Sequence, residues 1–298
     1  PASTEMRRQY RDLFINAEGI EQYLSGIILF SETLLQKGND RKLFPKSLAA
    51  RGILPGVKVD LGTEPFPSSP QELITQGLFD LPERLSQYKK QGAVFTKWRT
   101  VFRISGDDLP TNVAMHENAK RLANYAKEVQ SAGLVPIIEP EVLYEGKHSR
   151  ARARAVLTET LGTVFSVLEE HSVDRASVIL KTSIALSGSE SRKKDTPEEV
   201  AEDTLAALME SVPRQIAGIV FLSGGQTPEQ ATENLAAIIR RAREVEAPWS
   251  LTFSYARALQ EEALSIWKGK EENIAAARVA YLARLYKLST ALGHSPVR

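Results

Sequence analysis

Apolar positions along the chain alternate between two periodicities. Short, nearly unbroken apolar runs occupy residues 25–30, 54–60, 93–99, 134–141, 177–184, 218–224 and 249–255. Runs of this length and character suit strands buried on both faces. The intervening stretches follow a helical period. Val113, Met115, Ala119, Leu122, Ala126 and Val129 recur within residues 111–132, and Gly133 supplies a stop. Val156, Leu157, Leu161, Val164, Phe165 and Leu168 repeat the pattern, and so do Tyr281, Leu282, Leu285, Tyr286 and Leu288, which we expect in the core. Thr196-Pro197-Glu198-Glu199 and Thr227-Pro228-Glu229-Gln230 both read as helix capping boxes with proline at the first helical position. Strands alternating with helices predict an α/β fold around a parallel sheet.

Two architectures meet that description. A doubly wound sheet usually carries a glycine-rich turn after its first strand, and none stands there. A (β/α)8 TIM barrel needs eight strands and roughly 250 residues. Seven of the eight are visible, and the chain opens in a helical stretch over residues 4–14. The expectation is an eight-stranded barrel whose first strand lies upstream of Pro1, with closure by seven strands as the alternative. No shift of composition marks a linker, so residues 1–298 are expected to form a single barrel domain.

Composition narrows the function classes. Apolar residues make up 42% and charged residues 25% of the 298, as in ordinary globular proteins. A net charge of +1 with the two signs mixed argues against nucleic acid or an anionic membrane as the main partner. No apolar run approaches the ~20 residues of a membrane helix. Cysteine is absent, which removes disulfides, thiolate metal sites and cysteine nucleophiles.

The chemistry gathers at the strand C-termini, where barrels carry their active sites. Those ends hold Lys58 and Asp60; Lys97 and Arg99; Glu139 and Glu141; Lys181; Ser223; Ser254 and Tyr255. Residues two apart share a side of a strand, so each pair points one way. One charged residue at a strand end is most often solvated rim. Charges converging from at least four strands are different. Three lysines and an arginine in one cavity repel unless anionic ligands or the two glutamates neutralise them. Crowded cations and desolvation also favour a neutral, nucleophilic lysine, and Lys181, behind Val178-Ile179-Leu180, is best placed for this. Ser223-Gly224-Gly225-Gln226, directly before a helix start, exposes backbone amides suited to phosphate, and Arg257 adds a cation beyond the last strand.

Gly56-Val57-Lys58-Val59-Asp60, Phe95-Thr96-Lys97-Trp98-Arg99, Val135-Pro136-Ile137-Ile138-Glu139-Pro140-Glu141, Phe221-Leu222-Ser223-Gly224-Gly225-Gln226 and Leu251-Thr252-Phe253-Ser254-Tyr255-Ala256-Arg257-Ala258-Leu259 stand in this order along nearly the whole chain. In order and spacing the chain resembles the class I (Schiff-base) fructose-1,6-bisphosphate aldolases. The resemblance implies reversible cleavage of fructose 1,6-bisphosphate to two triose phosphates, without metal or other cofactor. It puts the Schiff base on Lys181 and the proton shuttle on Glu139, with Glu141 supporting it and Lys97 tuning the site and touching substrate. Lys58 and Arg99 would face the C6 phosphate. Ser223, Gly224, Gly225, the amide of Ala256, and Arg257 would hold the C1 phosphate, with Asp60, Ser254 and Tyr255 completing the substrate-binding set. A cytoplasmic homo-tetramer is the corresponding expectation.

The chain departs from the family pattern in places. The family's first strand ends in an acidic residue that takes the C4 hydroxyl proton, and nothing in this sequence visibly replaces it. Thr182-Ser183 follows Lys181 where Pro-Asn is commoner, Leu61 stands where lysine often does, and Ala256 replaces a glycine. Three rival readings follow from the residues. A metal-dependent aldolase needs histidine ligands at strand ends, and His116, His148, His171 and His294 are predicted on helices or loops. A barrel enzyme acting on another sugar phosphate shares the phosphate loop but has no use for a buried lysine beside Lys97. A catalytically impaired barrel that binds partners through its surface is the third.

Overall fold

The computed structural model describes residues 3–294. In chain order the main elements are α1 (Thr4–Ile15), β1 (Gly26–Leu29), α2 (Ser31–Leu34), α3 (Phe44–Ala49), β2 (Leu54–Lys58), β3 (Thr63–Phe66), β4 (Ser69–Thr75), α4 (Leu81–Lys90), β5 (Phe95–Phe102), α5 (Asn112–Ser131), β6 (Val135–Val142), α6 (Arg150–Glu170), β7 (Ile179–Thr182), α7 (Pro197–Ser211), β8 (Gly218–Phe221), α8 (Pro228–Glu244), β9 (Leu251–Phe253), α9 (Arg257–Trp267) and α10 (Ile274–Ala291). All seven predicted strands form. They pair in parallel as one sheet in the order β1-β2-β5-β6-β7-β8-β9. The sheet curls, so that residues of its two edges, β1 and β9, line the same cavity.

Local signals set the helix boundaries. Thr196 accepts from the Glu199 amide while the Glu199 carboxylate accepts from the Thr196 amide, the reciprocal box expected there. At Thr227 the hydroxyl accepts from the Gln230 amide, the forward half of such a box. Thr111 and Ser149 cap α5 and α6 in the same way. Gly133 follows α5 at φ +69°, a conformation that favours glycine. Tyr281, Leu285 and Leu288 of α10 are buried as expected and Leu282 is partly buried, but Tyr286 is 51% exposed. It stands one residue past Leu285, about 100° around the helix, and so falls on the solvent side.

The antiparallel hairpin β3–β4 is an addition to the predicted elements. It leaves the sheet after β2 and packs on β5 and α5. Its buried Glu72 accepts from the Thr111 amide at 2.8 Å and from the Thr111 hydroxyl at 2.6 Å, tying the start of α5 to the hairpin.

Side-chain alternation divides the sheet. Thr96 and Trp98 face the helices; the Thr96 hydroxyl meets the Tyr125 hydroxyl of α5 at 2.7 Å, and Trp98 packs on the Tyr125 ring. Phe95, Lys97 and Arg99 face inward. At the N-terminal end of the sheet the Phe95 ring lies over β2: a Cβ built on Gly56 would come within 2.1 Å of it. Gly56 therefore makes room for the apolar floor beneath the polar mouth. Gly56→Ala should destabilise the protein by about 2 kcal/mol through overpacking. Chemical denaturation checks this, and pairing the change with Phe95→Leu should recover most of the loss.

Candidate active site

The inward positions near the strand C-termini carry a chain of alternating charge. Lys58 Nζ lies 2.5 Å from Asp60 Oδ1, and Asp60 Oδ2 lies 3.7 Å from Lys97 Nζ. Lys97 Nζ then contacts Glu139 Oε2 at 2.7 Å, and Glu139 Oε1 contacts Lys181 Nζ at 3.0 Å. Strand register brings these groups together. Lys58 pairs with Lys97 across β2 and β5. The register that sets Ile138 beside Leu180 continues to place Glu139 beside Lys181. Asp60, Lys97 and Glu139 are all buried. The cations predicted to converge here are thus met by carboxylates of the chain itself, and Asp60 separates the in-register lysines.

Arg99 and Glu141 form an adjoining pair, with Nε–Oε2 at 2.5 Å. Each lies two residues beyond Lys97 or Glu139, roughly 6.6 Å further along its strand. Glu141 consequently pairs with Arg99, one layer above the Lys97–Glu139 contact. The Arg99 amide donates to Asp60 Oδ2 at 3.2 Å, which ties this pair to the deeper chain.

A cavity of about 330 Å³ opens over these groups. Lys58, Lys97 and Lys181 form its charged floor, residues 26–30 of the β1 edge one wall, and residues 253–256 the other. Its outer side is closed by α1. The Tyr10 hydroxyl donates to Gln260 Oε1 of α9 at 2.5 Å, and Phe14 packs edge-on against Tyr281 of α10. Arg11 also lines the cavity and is held by Glu32 at 2.7 Å and Gln36 at 2.6 Å. Sequence patterning had marked this stretch only as a helix, so these wall residues went unseen.

Ser254 and Ala256 line the cavity with the lysines. Ala256 sits at φ −111°, outside the left-handed region, so its Cβ fits where a glycine was expected. Tyr255, expected in the substrate-binding set, lies in the cavity wall. Its ring contributes to the wall, but its hydroxyl donates to the Ala231 carbonyl of α8 at 3.0 Å and is already engaged. Ser223 is buried, while Gly224 and Gly225 bring the chain back to the surface with φ of +56° and +92°. The Arg257 guanidinium lies 3.7 Å from where a Gly225 Cβ would sit, which joins the last two predicted anion-binding elements. Leu61 is 65% exposed. Of the histidines, His116 lies on α5, His171 ends α6, and His148 and His294 lie outside helices and strands. Among the described residues no cluster of His, Cys, Asp and Glu is arranged to hold a metal.

The model of the family "Fructose-bisphosphate aldolase class-I" matches residues 2–294. The chain belongs to the class I fructose-bisphosphate aldolase family. It is 45% identical over 278 residues to the cytosolic fructose-bisphosphate aldolase 4 of Arabidopsis thaliana, covering 93% of this chain and 70% of that protein. It is 46% identical over 278 residues to the cytoplasmic isozyme of Spinacia oleracea, covering 93% of this chain and 77% of that protein. Its fold is similar to that of the Plasmodium falciparum aldolase solved in complex with TRAP and a small-molecule inhibitor. The TM-score is 0.94 at 42% identity, over 97% of this chain and 83% of that one. No helix among the described residues is long and apolar enough to cross a membrane.

The electrostatics of Glu139 generate a prediction. Burial by itself raises its pKa, but the charges of Lys181 and Lys97 outweigh that and hold it below its ordinary 4.5. A carboxylate depressed in the folded state stabilises the fold above its unfolded pKa, and this contribution is lost as pH falls through the folded value. Glu139→Gln leaves Lys181 without its carboxylate partner and Lys97 with Asp60 alone, and should cost about 3 kcal/mol at pH 7. The difference from the wild type should shrink below about pH 4.5. Urea denaturation at pH 7 and at pH 3.5 measures both.

Proposed function

We propose that this cavity performs the class I aldolase reaction, the reversible cleavage of fructose 1,6-bisphosphate to dihydroxyacetone phosphate and glyceraldehyde 3-phosphate. One observation carries the reading: a buried carboxylate, Glu139, bridges Lys181 at 3.0 Å and Lys97 at 2.7 Å. Glu139 takes a proton from Lys181 Nζ, which then adds to the C2 ketone; one amine proton passes to the former ketone oxygen, forming a carbinolamine. Glu139 gives a proton to the departing hydroxyl, so that water leaves and a protonated imine remains. The imine draws the C3–C4 bonding electrons to itself as the aldehyde separates, leaving an enamine that takes a proton at C3 and is hydrolysed. Lys97 holds Glu139 in place and keeps positive charge beside the developing intermediates. Arg99 and Lys58 serve the C6 phosphate. Ser223, Gly224, Gly225, the Ala256 amide, and Arg257 serve the C1 phosphate, with Asp60 holding Lys58 in position and Glu141 holding Arg99.

The base for the C4 hydroxyl belongs to a strand that we place in the slot between β1 and β9, completing a single (β/α)8 barrel domain. The facing edges of those strands and the cavity between them support that placement. The family resemblance supports a homo-tetramer, and the cytosolic and cytoplasmic relatives support a cytoplasmic enzyme.

Borohydride reduction in the presence of dihydroxyacetone phosphate should leave a covalent adduct on Lys181 in the complete protein, located by peptide mass mapping. Lys181→Met should abolish the adduct and lower kcat/KM at least about 10³-fold. Absence of an adduct on the wild-type lysine would sink the aldolase reading.

A further inference from the structure

The turn that presents Gly224 and Gly225 is held from behind by a buried amide relay. The Gln226 amide donates to the Ser223 carbonyl at 3.0 Å, closing a four-residue turn. Both central residues have positive φ, +56° and +92°, the sign pattern of a type I′ turn. Two adjacent glycines lose much backbone freedom when fixed, so a turn built from them needs outside support. Gln226, 5% exposed, folds its side chain back so that Nε2 donates to the same Ser223 carbonyl at 2.8 Å. Asn234 of α8, 3% exposed, donates from Nδ2 to Gln226 Oε1 at 2.7 Å. The direction of the relay is determined: only the NH2 end of Gln226 can face a carbonyl, so its oxygen faces Asn234. On the other side the Tyr144 ring stands 3.4 Å from where a Cβ on Gly225 would be. Among the described residues neither the Gly224 nor the Gly225 amide donates to a backbone carbonyl.

We propose that Asn234 and Gln226 are positioning residues for substrate phosphate: the relay locks the Ser223 carbonyl and thereby aims the Gly224 and Gly225 amides at the anion. Neither side chain touches substrate. The inference rests on the aldolase reading and deepens it, because it makes affinity for the phosphate-bearing end depend on a side chain of α8.

The test uses Asn234→Leu and Asn234→Asp in the complete protein. Each removes the donor to Gln226. The aspartate is nearly isosteric and also reverses the relay, since its carboxylate can only accept and the Gln226 amide must turn its oxygen toward the Ser223 carbonyl. Borohydride trapping is titrated with dihydroxyacetone phosphate and with dihydroxyacetone, the same ketone without the phosphate. The half-trapping concentration of the phosphate ester should rise about tenfold, the size of effect expected from one lost buried hydrogen bond. That of dihydroxyacetone should stay unchanged. Turnover of fructose 1,6-bisphosphate should fall through KM, with kcat preserved. A purely structural role would weaken both ketones by the same factor, and that result, or no change in either, overturns the proposal. Should Asn234→Leu fail to fold, Asn234→Asp decides. If the wild type traps neither compound, the aldolase reading fails and this inference with it. A wild type that traps both, with variants of unaltered selectivity, refutes the relay alone.

Discussion

The charged site depends on setting like charges side by side around a buried core of Asp60, Lys97 and Glu139. Lys58 and Lys97 are register neighbours in a parallel sheet, and Lys181 approaches from a third strand. Such a group holds together only if anions are interleaved, because unpaired ions in a dry interior cost several kcal/mol each. Asp60 and Glu139 supply them, giving an alternating series from Lys58 to Lys181 in which each carboxylate touches two lysines. The arrangement fixes where protons can move. Glu139 is within hydrogen-bond distance of the amine that would become an imine, and Lys97 on its other oxygen keeps it ionised and oriented.

The fold provides this series by simple geometry. Parallel strands in register carry side chains of the same parity to the same face, so lysines and carboxylates on neighbouring strands meet without long loops. Outward-facing Thr96 and Trp98 anchor β5 to α5, and inward-facing Phe95 packs the floor against Gly56. Polar chemistry thus stands on an apolar base that excludes water from below. The second functional region follows another logic. Gly224 and Gly225 offer backbone amides rather than charges, and Arg257 brings a side-chain cation beside them. In the proposed reaction, charged side chains would serve the reacting carbon and the glycine turn the phosphate.

Family membership and geometry reinforce each other because they rest on different evidence. The family match spans residues 2–294 and speaks for the chain as a whole. The distances among Lys97, Glu139 and Lys181 speak for a reaction whatever the ancestry. The cavity between the β1 and β9 edges is bordered on its outer side by Tyr10 and Gln260, which are hydrogen-bonded to each other.

Strand positions, helix starts and the residue types of the site were legible in the sequence, because they are local. An apolar run of seven residues, a Thr-Pro-Glu-Glu start or a lysine after Val178-Ile179-Leu180 declares itself through its neighbours alone. The hairpin β3–β4 was not legible: its short strands are interrupted by prolines, and its stability comes from Glu72 reaching Thr111, 39 residues away. Partner choice was equally hidden. Spacing by two put Glu141 on the side of Glu139, but a diagonal contact across β5 and β6 gave it to Arg99, whose register partner is Glu139. Packing alone turned the Tyr255 hydroxyl to α8, and Asn234 carried no sequence signal because its contact with Gln226 exists only where α8 crosses behind the glycine turn. The sequence by itself determined which chemical groups the sheet carries and which face each occupies, since those follow from periodicity. Which acid neutralises which base was decided only by the tertiary structure, because contacts between strands depend on register and distance that no single strand encodes.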